Sequence, residues 1–153
     1  MICCVAIVGA NNNPLFVRSI EEDDDLSFHY IVHISLDIIE EKGMIRSDRK
    51  VDSCVIVVKL SKDDMYLGFL GPVEDYRVYG YVTNTLVKII VVVQDAPIKE
   101  SEMRNLFTEL HKLYVNAMSN PFAIIGERIK SEKFEKKVYN LVLQHNHMLE
   151  ASR

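Results

Sequence analysis

Three closely spaced apolar runs dominate the middle of the chain, between Met65 and Val93. They read MYLGFL, EDYRVYGYVT and VKIIVVV, with short connections at Gly71-Pro72 and at Asn84. β-Branched and aromatic side chains pack well on a pleated sheet, and short connections favour antiparallel neighbours. Apolar residues occupy both alternating registers, whereas a sheet with one wet face would alternate apolar with polar. We therefore predict a meander of consecutive antiparallel strands that is covered on both faces.

Two further strands are predicted near the N-terminus, over Ile2–Val8 and Leu15–Ser19. The segment between them, GANNNP, is rich in the residues that form turns. Ile2–Val8 is apolar on both registers, as is Val87–Val93. A strand of this kind needs cover on both sides, so we predict that these two lie at the centre of the sheet.

Three segments have the period of an amphipathic helix: Leu26–Lys42, Glu100–Ser119 and Glu132–Met148. The second should end before Pro121, because the residue before a proline avoids the helical region, and Ser131 is placed to cap the third. In the first helix, the stripe expected to pack on the sheet is Phe28, Ile31, Val32, Ser35, Ile38 and Ile39. In the third, the inward residues are Phe134, Val138, Leu141, Val142 and Leu149.

The order ββαβββαα predicts an α+β domain with a five-stranded antiparallel sheet, one helix on one face and two helices on the other. We interpret residues 1–153 as one domain. Gly43–Asp64 is the least regular part and is interpreted as a variable linker. Its apolar run Ser53–Leu60 could form an extra edge strand, and the sequence leaves that open.

Composition excludes several function classes. The 153 residues are 48% apolar and 26% charged, with a net charge of −4 and no run of five basic residues. Nucleic-acid binding and purely electrostatic membrane binding are therefore not expected. The apolar N-terminus lacks a basic leader region and is too short to span a bilayer, so a soluble protein is predicted, with membrane association only through partners or modification.

The cysteines indicate neither a disulfide framework nor a metal site. There are three, none in a C-x-x-C pair. Reduced cytosolic thiols are the default, and the neighbours Cys3 and Cys4 are predicted to face opposite sides of their strand. A thiol buried in an apolar strand has a raised pKa and is inert, which argues against Cys3 or Cys4 as a nucleophile.

Other candidate chemistry is also weak. The chain has no G-x-S-x-G elbow and no glycine-rich phosphate loop. His29, His33 and Asp37 share a helix face, but Tyr30 follows His29 where a zinc protease helix has glutamate, so solvated side chains are the better interpretation. The acidic run Glu21–Asp25 lacks the spaced ligands of a calcium loop and is interpreted as solvated. We predict no catalytic residues, no metal and no cofactor.

The outer face of the first helix mixes polar and apolar side chains. His29, His33, Asp37 and Glu40 lie there, with Tyr30 and Ile34 at its edge. Such a mixture is typical of a partner-binding surface, and equally of ordinary exposure. Asn120-Pro121-Phe122 could be a short peptide for endocytic adaptor domains, although a turn that ends the helix explains it.

Several segments together resemble a known family. NPLFVRS from Asn13, FHYIVHISLD from Phe28 followed by EEK from Glu40, and Tyr66–Asn84 with its string EDYRVYGYVTN are similar to the sedlin-like small subunits of the TRAPP (trafficking protein particle) complex. The similarity covers nearly the whole chain. The longer linker at 43–64 and the apolar residues after Phe122 depart from the family pattern.

This resemblance implies a longin fold, also called SNARE-like or profilin-like, and a non-catalytic role in assembly. It implies partners among the other small and the large TRAPP subunits, within a complex that tethers vesicles and promotes nucleotide exchange on Rab-type GTPases. The expected location is cytoplasmic and peripheral, at the endoplasmic reticulum and Golgi. By the same resemblance, Tyr30, His33, Ile34 and Asp37 are the expected partner-binding residues. A longin-type adaptor for a small GTPase or SNARE outside TRAPP is the alternative, followed by a small enzyme using Cys4 or the histidine pair.

Overall fold

The computed structural model describes residues 2–9, 12–20, 25–47, 66–83, 85–94, 98–124 and 127–151. Within these ranges the elements follow the predicted order: β1 Ile2–Val8, β2 Pro14–Ser19, α1 Asp25–Ser47, β3 Tyr66–Val73, β4 Tyr76–Val82, β5 Lys88–Gln94, α2 Glu100–Met118 and α3 Glu132–Ala151. The α+β class and the order ββαβββαα are confirmed.

The strands form one five-stranded antiparallel sheet in the order β2-β1-β5-β4-β3. The two strands that are apolar on both registers, β1 and β5, lie next to each other inside the sheet. Every residue of β1 is buried, as is every residue of β5 except Gln94. Their predicted central position is confirmed, and the topology is that of a longin or profilin-like fold.

Two separate apolar layers hold the helices on the sheet. On one face, Ala6 and Val8 of β1 pack with Phe28 and Ile31 of α1. On the other face, Val5 and Ile7 of β1 pack with residues of α2 and α3, which include Met103, Leu106, Phe107, Leu110, Phe134 and Val138. Alternate residues of one strand point to opposite faces, so an all-apolar strand joins both layers.

The stripe predicted for α1 is the one that packs on the sheet, and Leu36 adds to it. Only Ile38 of the predicted residues is half-buried rather than buried. The Ser35 hydroxyl donates a hydrogen bond of 2.7 Å to the Ile31 carbonyl, which satisfies a buried polar group. The helix runs past Lys42 to Ser47, because a single glycine at position 43 costs only about 1 kcal/mol and does not end a helix.

The predicted turn at Gly71-Pro72 is wrong. Strand β3 continues through both residues, Pro72 pairs opposite Arg77, and the turn falls at Glu74-Asp75. Among the strands that the structure describes, β3 lies at the end of the sheet, and an end strand tolerates a proline that cannot donate a hydrogen bond to the ladder. Glu74 takes a φ of 54°, as a two-residue hairpin loop requires.

The prediction that Cys3 and Cys4 face opposite sides is also wrong. The pairing of β1 with β5 shifts register between Ile2 and Cys4, and both cysteines belong to the layer beneath α1. A bulge inserts one extra residue, so the strict alternation of faces is lost there. Both thiols are buried, and the Cys3 Sγ donates to Gln94 Oε1 at 3.6 Å.

Some predictions lie outside the described residues. These are the turn at Asn84, the strand break at 95–97, the acidic side chains at 21–24, Cys54 and the linker from residue 48 to 64 with its possible strand. The extra strand and the single-domain boundaries stay predictions.

A buried asparagine ties the last helix to the first strand. Asn146 of α3 accepts a hydrogen bond of 2.8 Å from the Ile2 amide and donates one of 3.3 Å to the Ile2 carbonyl. It is 5% exposed. Asn146 follows Val142 by one helical turn, at a position where the apolar stripe predicts a hydrophobic residue.

We expect Asn146→Ala to lower the free energy of unfolding by about 2–3 kcal/mol, because it deprives two buried backbone groups of partners. Urea denaturation of purified protein measures this. Asn140→Ala removes the same side chain from an exposed position of the same helix and should change stability by less than about 0.5 kcal/mol. Equal losses in the two variants would show that the hydrogen bonds to Ile2 contribute nothing.

Candidate functional site

The four residues expected to bind partners share one face of α1. They are Tyr30 and the residues that follow it by three, four and seven positions, His33, Ile34 and Asp37. This spacing places them together on the surface of a helix. Tyr30 is 59% exposed, and His33 and Asp37 are also exposed. Ile34 is half-buried, with part of its side chain packed against the layer below. The helix therefore presents an aromatic ring, an imidazole and a carboxylate around a partly covered aliphatic side chain.

The opposite face of α1 makes this surface rigid. Phe28 is fully buried and meets Tyr76 of β4 edge-on, with ring centroids 5.7 Å apart. Ile31, Val32 and Leu36 extend the contact along the helix. Side chains carried by a packed helix keep their relative positions better than side chains on a loop, which lowers the entropy cost of binding.

Asp37 is the group on this face that most constrains a partner. Among the residues that the structure describes, Asp37 has neither an ion pair nor a hydrogen bond. Its side chain is also exposed, so none of those residues takes the place of water around the carboxylate. A partner that covered it would have to supply donors, because a buried carboxylate without them costs several kcal/mol.

A second cluster of polar groups lies between the sheet and α2, and sequence reasoning did not identify it. The Tyr81 hydroxyl and His111 Nδ1 are 3.3 Å apart, and the Tyr81 ring stacks on Phe107. Burial raises the pKa of Tyr81 and lowers the pKa of His111. Both shifts favour the neutral forms, so this pair is a neutral hydrogen bond inside an aromatic layer.

Tyr66 extends the aromatic layer toward α2. The Arg104 guanidinium carbon lies 4.9 Å from the centroid of its ring, which is a cation–π distance. Burial, aided by the Glu100 carboxylate, raises the pKa of Tyr66. Tyr79 and Tyr81 of the YGY string are buried. These two tyrosines therefore belong to the core and form no exposed base-stacking surface.

The candidates for metal or thiol chemistry are not brought together. His29 and His33 are exposed on α1, whereas Cys3 and Cys4 lie beneath it in the core. Over the described ranges, no three His, Cys, Asp or Glu side chains are grouped so that they could hold a metal ion. None of the helices in those ranges combines the length and apolar content needed to cross a bilayer.

Comparison with known proteins identifies the family. The family model described as Sedlin matches residues 7–144. The chain belongs to the sedlin family. A relative from Dictyostelium discoideum, named trafficking protein particle complex subunit 2-like protein, is 48% identical over 92% of this chain and 96% of its own length. Proteins of the same name from Bos taurus and Xenopus tropicalis are 40% and 38% identical, each over 94% of this chain and over 99% and 98% of their own lengths.

These matches confirm the resemblance drawn from the sequence. This sedlin-family protein is similar to the named subunits along nearly their whole length, so the relationship does not depend on one short motif. The role of the outer face of α1 is a separate matter, and it stays a prediction for Tyr30, His33, Ile34 and Asp37.

Proposed function

We propose that this sedlin-family protein is an assembly subunit of a TRAPP vesicle-tethering complex and that it acts by binding other subunits rather than by catalysis. The observation that carries the proposal is its 48% and 40% identity to proteins named as TRAPP complex subunit 2-like, over nearly full length. Chains that align at this level share their fold.

The physical character of the chain supports a binding role. Both faces of the sheet are covered by helices, so the outer faces of those helices are available for contact. Cys3 and Cys4, the two thiols in the described part of the chain, are buried in the core, where a thiol is a poor nucleophile. The outer face of α1 combines an exposed tyrosine with a carboxylate that has no partner among the described residues, a composition suited to a specific interface.

We place its partners among the other small and the large TRAPP subunits. Its connection to a Rab-type GTPase is then indirect, through the activity of the whole complex, and its contact with membranes is also through the complex. Its site of action is ER-to-Golgi and Golgi vesicle transport, as a cytoplasmic protein held at the surface of the endoplasmic reticulum and Golgi. Tyr30, His33, Ile34 and Asp37 form the proposed contact with a neighbouring subunit.

Purification of complexes through an affinity tag on this chain, followed by mass spectrometry, tests the proposal. We expect several small and large TRAPP subunits in comparable amounts, and none with the tag alone. Recovery of a lone small GTPase or a SNARE without TRAPP subunits would overturn the proposal in favour of a longin-type adaptor.

A further inference from the structure

A groove lies between the end of α2, the start of α3 and the loop that joins them. Its volume is about 430 Å³, within the range of ligand-binding clefts. It lies on the side of the sheet opposite α1, because α2 and α3 cover that other face. The side chains that make its apolar wall include Leu113, Met118, Phe122, Ile124, Ile129 and Phe134.

Hydrogen bonds hold the described residues at both ends of the loop that forms one wall. Asn120 Oδ1 accepts a hydrogen bond of 3.0 Å from the Phe122 amide, and the Asn120 carbonyl accepts another of 3.0 Å from Ala123. Further along, the Ile129 amide donates to the Leu15 carbonyl of β2 at 2.8 Å. The Asn-Pro-Phe turn does end the helix, as the sequence indicates, and it also fixes the backbone of Phe122 and Ala123.

This braced loop points large apolar side chains into solvent. Phe122 is 91% exposed and Ile124 is 61% exposed. Single exposed apolar residues are common on monomers, but two of them on a braced wall beside a concave apolar surface mark an interaction site.

The groove is positively charged although the chain as a whole carries −4. Arg128, Lys130, Lys133 and Lys137 line it against one carboxylate, Glu127. In the described part of the chain, none of these four cations takes part in an ion pair. The nearby Glu135 carboxylate is paired with Arg18 and so does not neutralise them.

We propose that this groove binds a short acidic segment of a partner chain whose apolar side chains enter between Phe122 and α3. The apolar wall supplies burial, and the basic rim selects acidic flanks by charge complementarity. A cleft of this volume admits a few side chains, which fits a peptide rather than a globular face. The groove and the α1 face are on opposite sides of the sheet, so both can be occupied at once.

A random library of peptides of about 12 residues, displayed on phage and selected on the full chain, tests this proposal without any TRAPP component. We expect enrichment of Asp and Glu around apolar anchors. A fluorescein-labelled selected peptide should bind in the micromolar range by fluorescence anisotropy, and the affinity should fall as salt is raised.

Two matched pairs of variants locate the site. Lys137→Glu should weaken binding of the labelled peptide about fivefold or more, whereas Lys136→Glu, the same charge change at an adjacent exposed residue outside the groove, should alter it less than about twofold. Phe122→Ser should weaken it about tenfold, and Val115→Ser on the exposed side of α2 should not. All four positions are exposed, so the fold is retained.

The proposal is overturned if selected peptides show no acidic preference, or if both members of each pair behave alike. It is also overturned if the chain forms a dimer that Lys137→Glu dissociates, since the groove would then be occupied by a second copy. Binding of phosphatidylserine vesicles that is stronger than peptide binding and is lost in Lys137→Glu would likewise replace it with a lipid site. These binding measurements do not depend on co-purification with TRAPP subunits. Failure of the groove proposal can therefore be distinguished from failure of the proposed TRAPP role.

Discussion

Phe107→Ala is expected to lower the free energy of unfolding by about 3–5 kcal/mol. Phe107 is a residue of α2 whose side chain is fully buried between that helix and the sheet, where its ring stacks on Tyr81 with centroids 5.5 Å apart and lies 5.7 Å from the Tyr66 ring. Truncation removes a large apolar side chain from water-free surroundings and also leaves a cavity that rigid neighbours do not fill. A loss of this size is a large part of the stability of an ordinary domain.

Equilibrium unfolding in urea, followed by circular dichroism, measures this loss. The chain provides its own control in Phe122→Ala, which makes the same substitution at a ring that is 91% exposed and should change stability by less than about 0.5 kcal/mol. If the two variants unfolded at the same urea concentration, Phe107 would not be a central element of the layer between the sheet and α2.

Asp37→Tyr is expected to reduce recovery of TRAPP subunits by more than about tenfold while the chain itself stays folded. The carboxylate is exposed and unpaired among the described residues, so its loss removes no contact that stabilises the domain. In a subunit interface, however, the partner's donors would face a bulky ring instead of an acceptor, and would be left unsatisfied. Co-purification of tagged variants and their melting temperatures are the two measurements.

Two further variants make the test of Asp37 specific. Glu109→Tyr replaces an exposed carboxylate on α2, on the other side of the sheet, and should leave subunit recovery unchanged. Asp37→Asn keeps an acceptor oxygen and should lose less than the tyrosine variant. Normal recovery of TRAPP subunits with Asp37→Tyr would remove the proposed role of this face and leave the family assignment intact.

The two proposed binding surfaces, the α1 face and the groove between α2 and α3, are built in different ways. The α1 face is a stripe on a regular helix, so its residues recur at helical spacing along the sequence. The groove combines a helix end, a helix start and a turn, and its wall depends on the hydrogen bond from Ile129 to Leu15 of a distant strand. Only the first kind of surface could be identified before the fold was known.

Local pattern was sufficient for most of the architecture. Ile2–Val8 and Val87–Val93 are apolar on both registers, and a strand of that composition is stable only where both faces are covered. The mainly apolar stripe of the first helix, from Phe28 to Ile39, had to be buried, and the sheet was the surface available to cover it. Such assignments depend on how often side chains return to the same face, which is every two residues in a strand and every 3.6 residues in a helix. The backbone geometry sets these periods, whatever element packs against that face.

Register and buried polar contacts depended on tertiary structure. The bulge that turns Cys3 and Cys4 toward the same layer arises from how β1 pairs with a strand far along the chain. Pro72 is accommodated within a strand because β3 is at the end of the sheet formed by the described strands, a position that no local pattern reveals. Asn146 occupies a core position because its amide meets the backbone of Ile2 across 144 positions of sequence.

For the described part of the chain, the apolar and polar periodicity thus determined by itself the order and kind of the elements and which face of each helix is buried, because the apolar side chains that must be buried are fixed by the sequence. Tertiary structure alone decided where the hairpin turns, which polar side chain enters the core and which charges surround the groove. Hydrogen bonds and charge clusters join residues that are distant in sequence, so their partners exist only once the layers have packed.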